Sequence, residues 1–125
     1  MIGLAPKLLL SHADVLLTDP PAALASRWPS AVTVLLRQAL ERSLQQLWLA
    51  KAPALVDAPY RSQLLLLSRY IERPIAERAT VTWYELSAEC HQRAYSLPPT
   101  AVELARWYES VEALVREVAR VTRST

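Results

Sequence analysis

The chain has 125 residues and a mass of 14.0 kDa, enough for one domain spanning 1–125 with a core that folds without staples. Hydrophobic residues make up 52% and charged residues 21%, which excludes a disordered or collagen-like chain; one Gly against nine Pro disfavours hairpins and Gly-rich phosphate turns, which need positive φ. The formal net charge of +2 is too small to imply a nucleic-acid partner, and the single Cys90 excludes an internal disulfide or a cysteine-based zinc cluster.

Proline divides the chain into helical pieces, because each one removes a backbone donor and clashes with the preceding turn. A first helix is predicted over 5–17, with Leu9, Ala13, Leu16 and Leu17 at helical spacing, and Asp19-Pro20-Pro21 breaks it. A short segment to Arg27-Trp28-Pro29 follows. The second helix is predicted over 29–50, with Pro29 in its first turn and a stripe of Val32, Leu35, Leu36, Ala39, Leu40, Leu44, Leu47 and Trp48. Arg37, Gln38, Glu41, Arg42 and Gln45 fall around its other side, and Gln38, Glu41 and Gln45 read as a solvated polar stripe.

Pro53 and Pro59 bracket a loop before a third helix, predicted over 60–71, whose centre Leu64-Leu65-Leu66-Leu67 is apolar all round. That pattern suits a helix buried on several sides or lying at a subunit interface. A fourth helix is predicted over 75–95, with Ile75, Ala79, Trp83, Leu86, Cys90 and Ala94 as its core stripe. Thr100-Ala101-Val102-Glu103 has the capping-box form and opens a last helix to about Val121, with Leu104, Trp107, Tyr108, Val111, Leu114, Val115 and Val118 inward. Short connections between such helices predict an all-α antiparallel bundle of four to five helices. The Leu run and four Trp in a small chain predict a homodimer.

No apolar run reaches the ~20 residues of a membrane span, and His12 and Asp14 interrupt the Leu8-Leu9-Leu10 run that would start a leader. The expected location is the cytoplasm.

Chemistry concentrates on the fourth helix, where Tyr84, Ser87, His91 and Tyr95 share one row at steps of three and four. A hydroxyl, an imidazole and two phenols in a row can bind phosphate or move protons, since His titrates near neutral pH. In the bland alternative the tyrosines line a helix contact and His91 makes one internal hydrogen bond. Arg61, Arg69, Arg73 and Arg78, with Tyr60 and Tyr70, form the one plausible basic-aromatic surface, although a solvated helix face accounts for them better. Neither HxxxH nor ExxH spacing is present, so no metal or other cofactor is expected.

Two segments together resemble the HEPN family, small helical-bundle domains of prokaryotic toxin–antitoxin and antiviral systems. Gln38-Ala39-Leu40-Glu41-Arg42-Ser43-Leu44 is similar to the family's second-helix pattern, with its acidic residue at Glu41. Cys90-His91-Gln92-Arg93-Ala94-Tyr95, followed by Leu97-Pro98-Pro99-Thr100 and a last helix, is similar to the His-and-Tyr stretch before the family's final helix. HEPN ribonucleases place an Arg a short way ahead of the His, across a homodimer. Here the corresponding positions hold Tyr84, Glu85 and Leu86, none of which can stabilise a developing phosphorane charge. The resemblance therefore implies the fold and a dimer more than the activity. It points to an accessory or binding module, for RNA, a nucleotide or a partner protein, in a bacterial defence or toxin–antitoxin-type system. Tyr84, Ser87, Tyr95, Arg93, Arg78 and Glu41 are the candidate binding residues. Two alternatives stand beside it. One is a metal-independent ribonuclease with His91 as acid/base and Arg93 or Arg78 replacing the missing Arg. The other is a purely structural helical interaction protein.

Overall fold

The computed structural model describes residues 5–22, 27–92 and 97–123, and among these the fold is all helical. Helices α1 (Pro6–Thr18), α2 (Trp28–Lys51), α3 (Tyr60–Leu66), α4 (Arg73–Gln92) and α5 (Ala101–Arg123) follow one another, with short 3-10 turns at Pro53–Leu55 and Leu67–Arg69. The all-helical bundle of four to five helices read from proline punctuation and apolar spacing is thus present with five, the ends of α1, α2 and α5 shifted by a residue or two and α3 ending five residues early. Pro6 and Pro29 sit in the first turns of α1 and α2, where a missing N–H costs nothing. The α5 capping box forms: the Glu103 amide donates to Thr100 Oγ1 at 3.1 Å, and the Thr100 amide donates to Glu103 Oε1 at 2.9 Å.

Helix α2 is the central element and packs against α1, α4 and α5. Leu36, Leu40, Leu44, Leu47 and Trp48 are all fully buried along it, as its period predicts. Leu104, Val111, Leu114 and Val118 of α5 complete the centre, with Leu9, Leu10 and Ala13 from α1 and Ala79 and Leu86 from α4. These side chains form one contiguous cluster.

Two expectations are corrected, and a third falls outside the described residues. Helix α3 is only seven residues long and tightens into a 3-10 turn, so the Leu run does not present apolar groups all round. Leu64 and Leu67 are buried and Leu66 is half-buried; Leu65 stands out, 81% exposed. Three of the four tryptophans do not need a second subunit either. Trp48 Nε1 donates to Gln63 Oε1 at 2.8 Å, Trp83 Nε1 to Glu41 Oε2 at 3.0 Å and Trp107 Nε1 to Glu85 Oε1 at 2.8 Å. An aromatic ring with one polar edge can be buried only where that edge finds an acceptor, and each of these finds one on another helix. Finally, α4 is described only as far as Gln92, so the predicted turn through Tyr95 lies outside the described residues, as does Ala94 of its core stripe.

Candidate functional site

The predicted site residues are divided between three environments. Tyr84 and His91 stand on the exposed side of α4, Tyr84 with 44% of its surface open. The Tyr84 ring meets the Trp83 ring edge-on, with centroids 5.1 Å apart. Ser87, between them along the row, is half-buried, and its Oγ is buried with no hydrogen-bond partner among the described residues. Tyr95 and Arg93 lie outside the described residues. His91 itself is exposed, near the end of α4.

Glu41 belongs to the junction of α2 and α4. Its spacing with Gln38 and Gln45 predicts a solvated stripe, but only the two glutamines are exposed. Glu41 Oε2 accepts from Arg37 Nε and from Trp83 Nε1, each at 3.0 Å, and its side chain is 19% exposed. Tyr60 packs on Trp83 with ring centroids 5.8 Å apart, and burial, then the Glu41 charge, pushes its phenol up. Burial opposes the Arg37 charge, yet the hydrogen bond to Glu41 and its charge, with the nearby Cys90 side chain adding to them, outweigh that and hold it more firmly protonated than usual. Cys90 is consequently half-buried beside a cation, and not a core residue as its position in the stripe suggested. Sequence reasoning missed Arg37 and Trp83 as partners of Glu41. The i,i+4 spacing of Arg37 and Glu41 was the available signal; the contact with α4 had none.

Arg78 lies apart from both. Its Nη2 donates to Ser110 Oγ on α5 at 3.3 Å, in a shallow groove shared with Glu77, Glu85 and Arg106. Glu85 accepts from Trp107 and lies 3.6 Å from Arg106, so it fastens α4 to α5. The stretch that offered a basic-aromatic surface is exposed in its cations but not in its rings. Arg61, Arg69, Arg73 and Arg78 are exposed, but Tyr60 turns onto Trp83 and Tyr70 meets Trp48 edge-on at 5.2 Å. Half-buried rings engaged with tryptophans offer no free face for bases to stack on.

Seen from α4, the exposed side chains have an order of their own. Glu77, Val81, Tyr84, Ala88 and His91 are all exposed and succeed one another at steps of four, three, four and three. That is the alternation of a helix seam able to receive a second helix. Ala76, Ala79 and Leu86 meanwhile face the core, so α4 carries apolar groups on two sides. No group of three or more His, Cys, Asp or Glu suited to a metal occurs among the described residues. Comparisons with family models, with curated proteins and with solved structures give no match.

Proposed function

We propose that this chain is a HEPN-like accessory or binding module of a bacterial defence or toxin–antitoxin-type system, working in the cytoplasm as a homodimer and without ribonuclease activity. The family part of this reading rests on the resemblance of the 38–44 and 90–95 segments; the observation that carries the dimer is the exposed seam on α4, where Val81 is 56% and Tyr84 44% exposed in heptad order with Ala88 and His91. Two copies of such a seam laid together bury the rings and methyl groups that one bundle leaves in water. The positions ahead of His91 support the absence of cleavage. Leu86 is fully buried, Glu85 is engaged by Trp107 and Arg106, and Tyr84 carries no charge. None of them provides a cation for a phosphate.

Sedimentation equilibrium at micromolar concentration tests the proposal. The expected species is a dimer, and Val81→Arg is expected to convert it to a monomer that is still folded. A monomer in the unmodified chain overturns the dimer. RNA cleavage that is lost in His91→Ala replaces the binding module with the ribonuclease alternative. Labelled RNA, titrated at two salt concentrations, shows whether the module's cargo is a nucleic acid, because phosphate contacts make affinity fall with salt.

A further inference from the structure

On a side of the bundle to which α4 contributes nothing, a cleft of about 480 Å³ opens between α1, α2 and α5. That volume lies within the roughly 300–1,000 Å³ of pockets that hold small organic ligands. Its apolar lining includes the buried side chains of Pro6 and Leu10 from the first turns of α1 and of Val115 from α5. Around these stand Lys7, Arg116 and Arg123, three cations against the one carboxylate, Glu112. Glu112 lies 3.4 Å from Arg116, which offsets its charge. Lys7 and Arg123 have no ion-pair partner among the described residues, and both are exposed.

Helix α1 begins at this cleft with no side-chain cap and no acidic residue in its first turn, so the positive end of its dipole adds to the two cations. The Tyr108 phenol also lines the cleft. Burial, with the charges of Asp14 and Glu112, pushes its pKa up, so it stays protonated and able to donate. An apolar lining bordered by unpaired positive charge complements a ligand that is itself divided in the same way.

We propose that the α1–α2–α5 cleft binds a small amphiphile of the fatty-acid type, its apolar body against Pro6, Leu10 and Val115 and its carboxylate between Lys7 and Arg123. The site is independent of the α4 seam, and its failure or success leaves the dimer reading untouched.

The test is a titration of the full chain with decanoate, followed by calorimetry and by backbone amide shifts, beside decanol and acetate. Decanoate is expected to bind saturably and to move the amides of 7–11 and 108–123. Decanol, lacking the charge, and acetate, lacking the body, are expected to bind at least about tenfold more weakly. Lys7→Glu and Arg123→Glu are each expected to weaken decanoate by about tenfold, with an unchanged melting temperature. Ala119→Trp, at an exposed lining position, is expected to block the cleft without unfolding the bundle. Equal binding of decanol reduces the site to indiscriminate apolar contact and overturns the proposal. So does acetate binding as tightly as decanoate, or an affinity unmoved by both charge reversals. Binding that appears only after residues 1–4 are removed assigns the cleft to the chain's own first residues, and overturns it equally.

Discussion

Glu117 on α5 is buried, 5% exposed, yet it is charged, and its neighbours explain how. Arg120 grips it with two bonds, Nε to Oε1 at 2.8 Å and Nη2 to Oε2 at 3.0 Å, and the Glu72 amide just ahead of α4 donates to Oε2 at 3.1 Å. The Arg120 hydrogen bonds hold the carboxyl below the ordinary value of 4.5; burial pushes the other way, and the Glu72 amide and the Arg120 charge add to the lowering. Because the folded pKa is depressed, the unfolded chain takes up a proton first as the pH falls. The stability Glu117 contributes is complete above 4.5 and is lost as the pH drops through its lower, folded value. Urea melts across that range are therefore expected to show a steeper loss for the unmodified chain than for Glu117→Gln, which is already weakened at neutral pH. Glu41 gives a second expectation at this scale. Glu41→Ala leaves the Trp83 indole N–H and the Arg37 guanidinium without their acceptor, and is expected to cost roughly 1–3 kcal/mol. A melting shift no larger than that of exposed Gln38→Ala would show that the cluster contributes nothing to stability.

Between elements, burial separates side chains that are neighbours in sequence. Leu44 and Gln45 are adjacent on α2, but Leu44 is fully enclosed and Gln45 is exposed. Leu44→Ala is expected to cost ~2–5 kcal/mol, since the removed methyl groups leave a cavity at the centre of the bundle. Gln45→Ala is expected to stay within about 0.5 kcal/mol. Comparable melting shifts for the pair would invert the assignment of the α2 faces. Helix α3 has few residues of its own, and its place depends on Gln63. That side chain is 3% exposed, accepts from Trp48 and donates through Nε2 to the Ala58 carbonyl at 2.8 Å. A buried amide satisfied on both sides ties the loop after α2 to the core.

For the molecule as a whole, one chain already covers most of what it needs to bury, and the dimer we propose uses the α4 seam, one of several places where large apolar side chains stay exposed. Association that depends on the folded seam raises stability by mass action, so the melting temperature of the unmodified chain is expected to rise with protein concentration. Val81→Arg is expected to remove that dependence while the helical signal is retained, because position 81 is 56% exposed in the single bundle. A melting temperature independent of concentration in the unmodified chain counts against the dimer.

Helix number, type and order, the inward faces of α2 and α5 and the α5 capping box were legible in the residues alone. Each rests on short-range physics: the period of apolar side chains, the missing N–H of proline and the reach of Thr100 to Glu103. The partners of the polar groups were not legible, because they sit on other helices. Glu41 meets Trp83 across 42 positions and the Glu72 amide meets Glu117 across 45. Periodicity assigns a residue to a face, but not the neighbour that faces it. For the same reason the row of Tyr84, Ser87 and His91 could be drawn from spacing, while its division into an exposed Tyr84 and His91 and a buried Ser87 Oγ followed only from how α4 lies in the bundle.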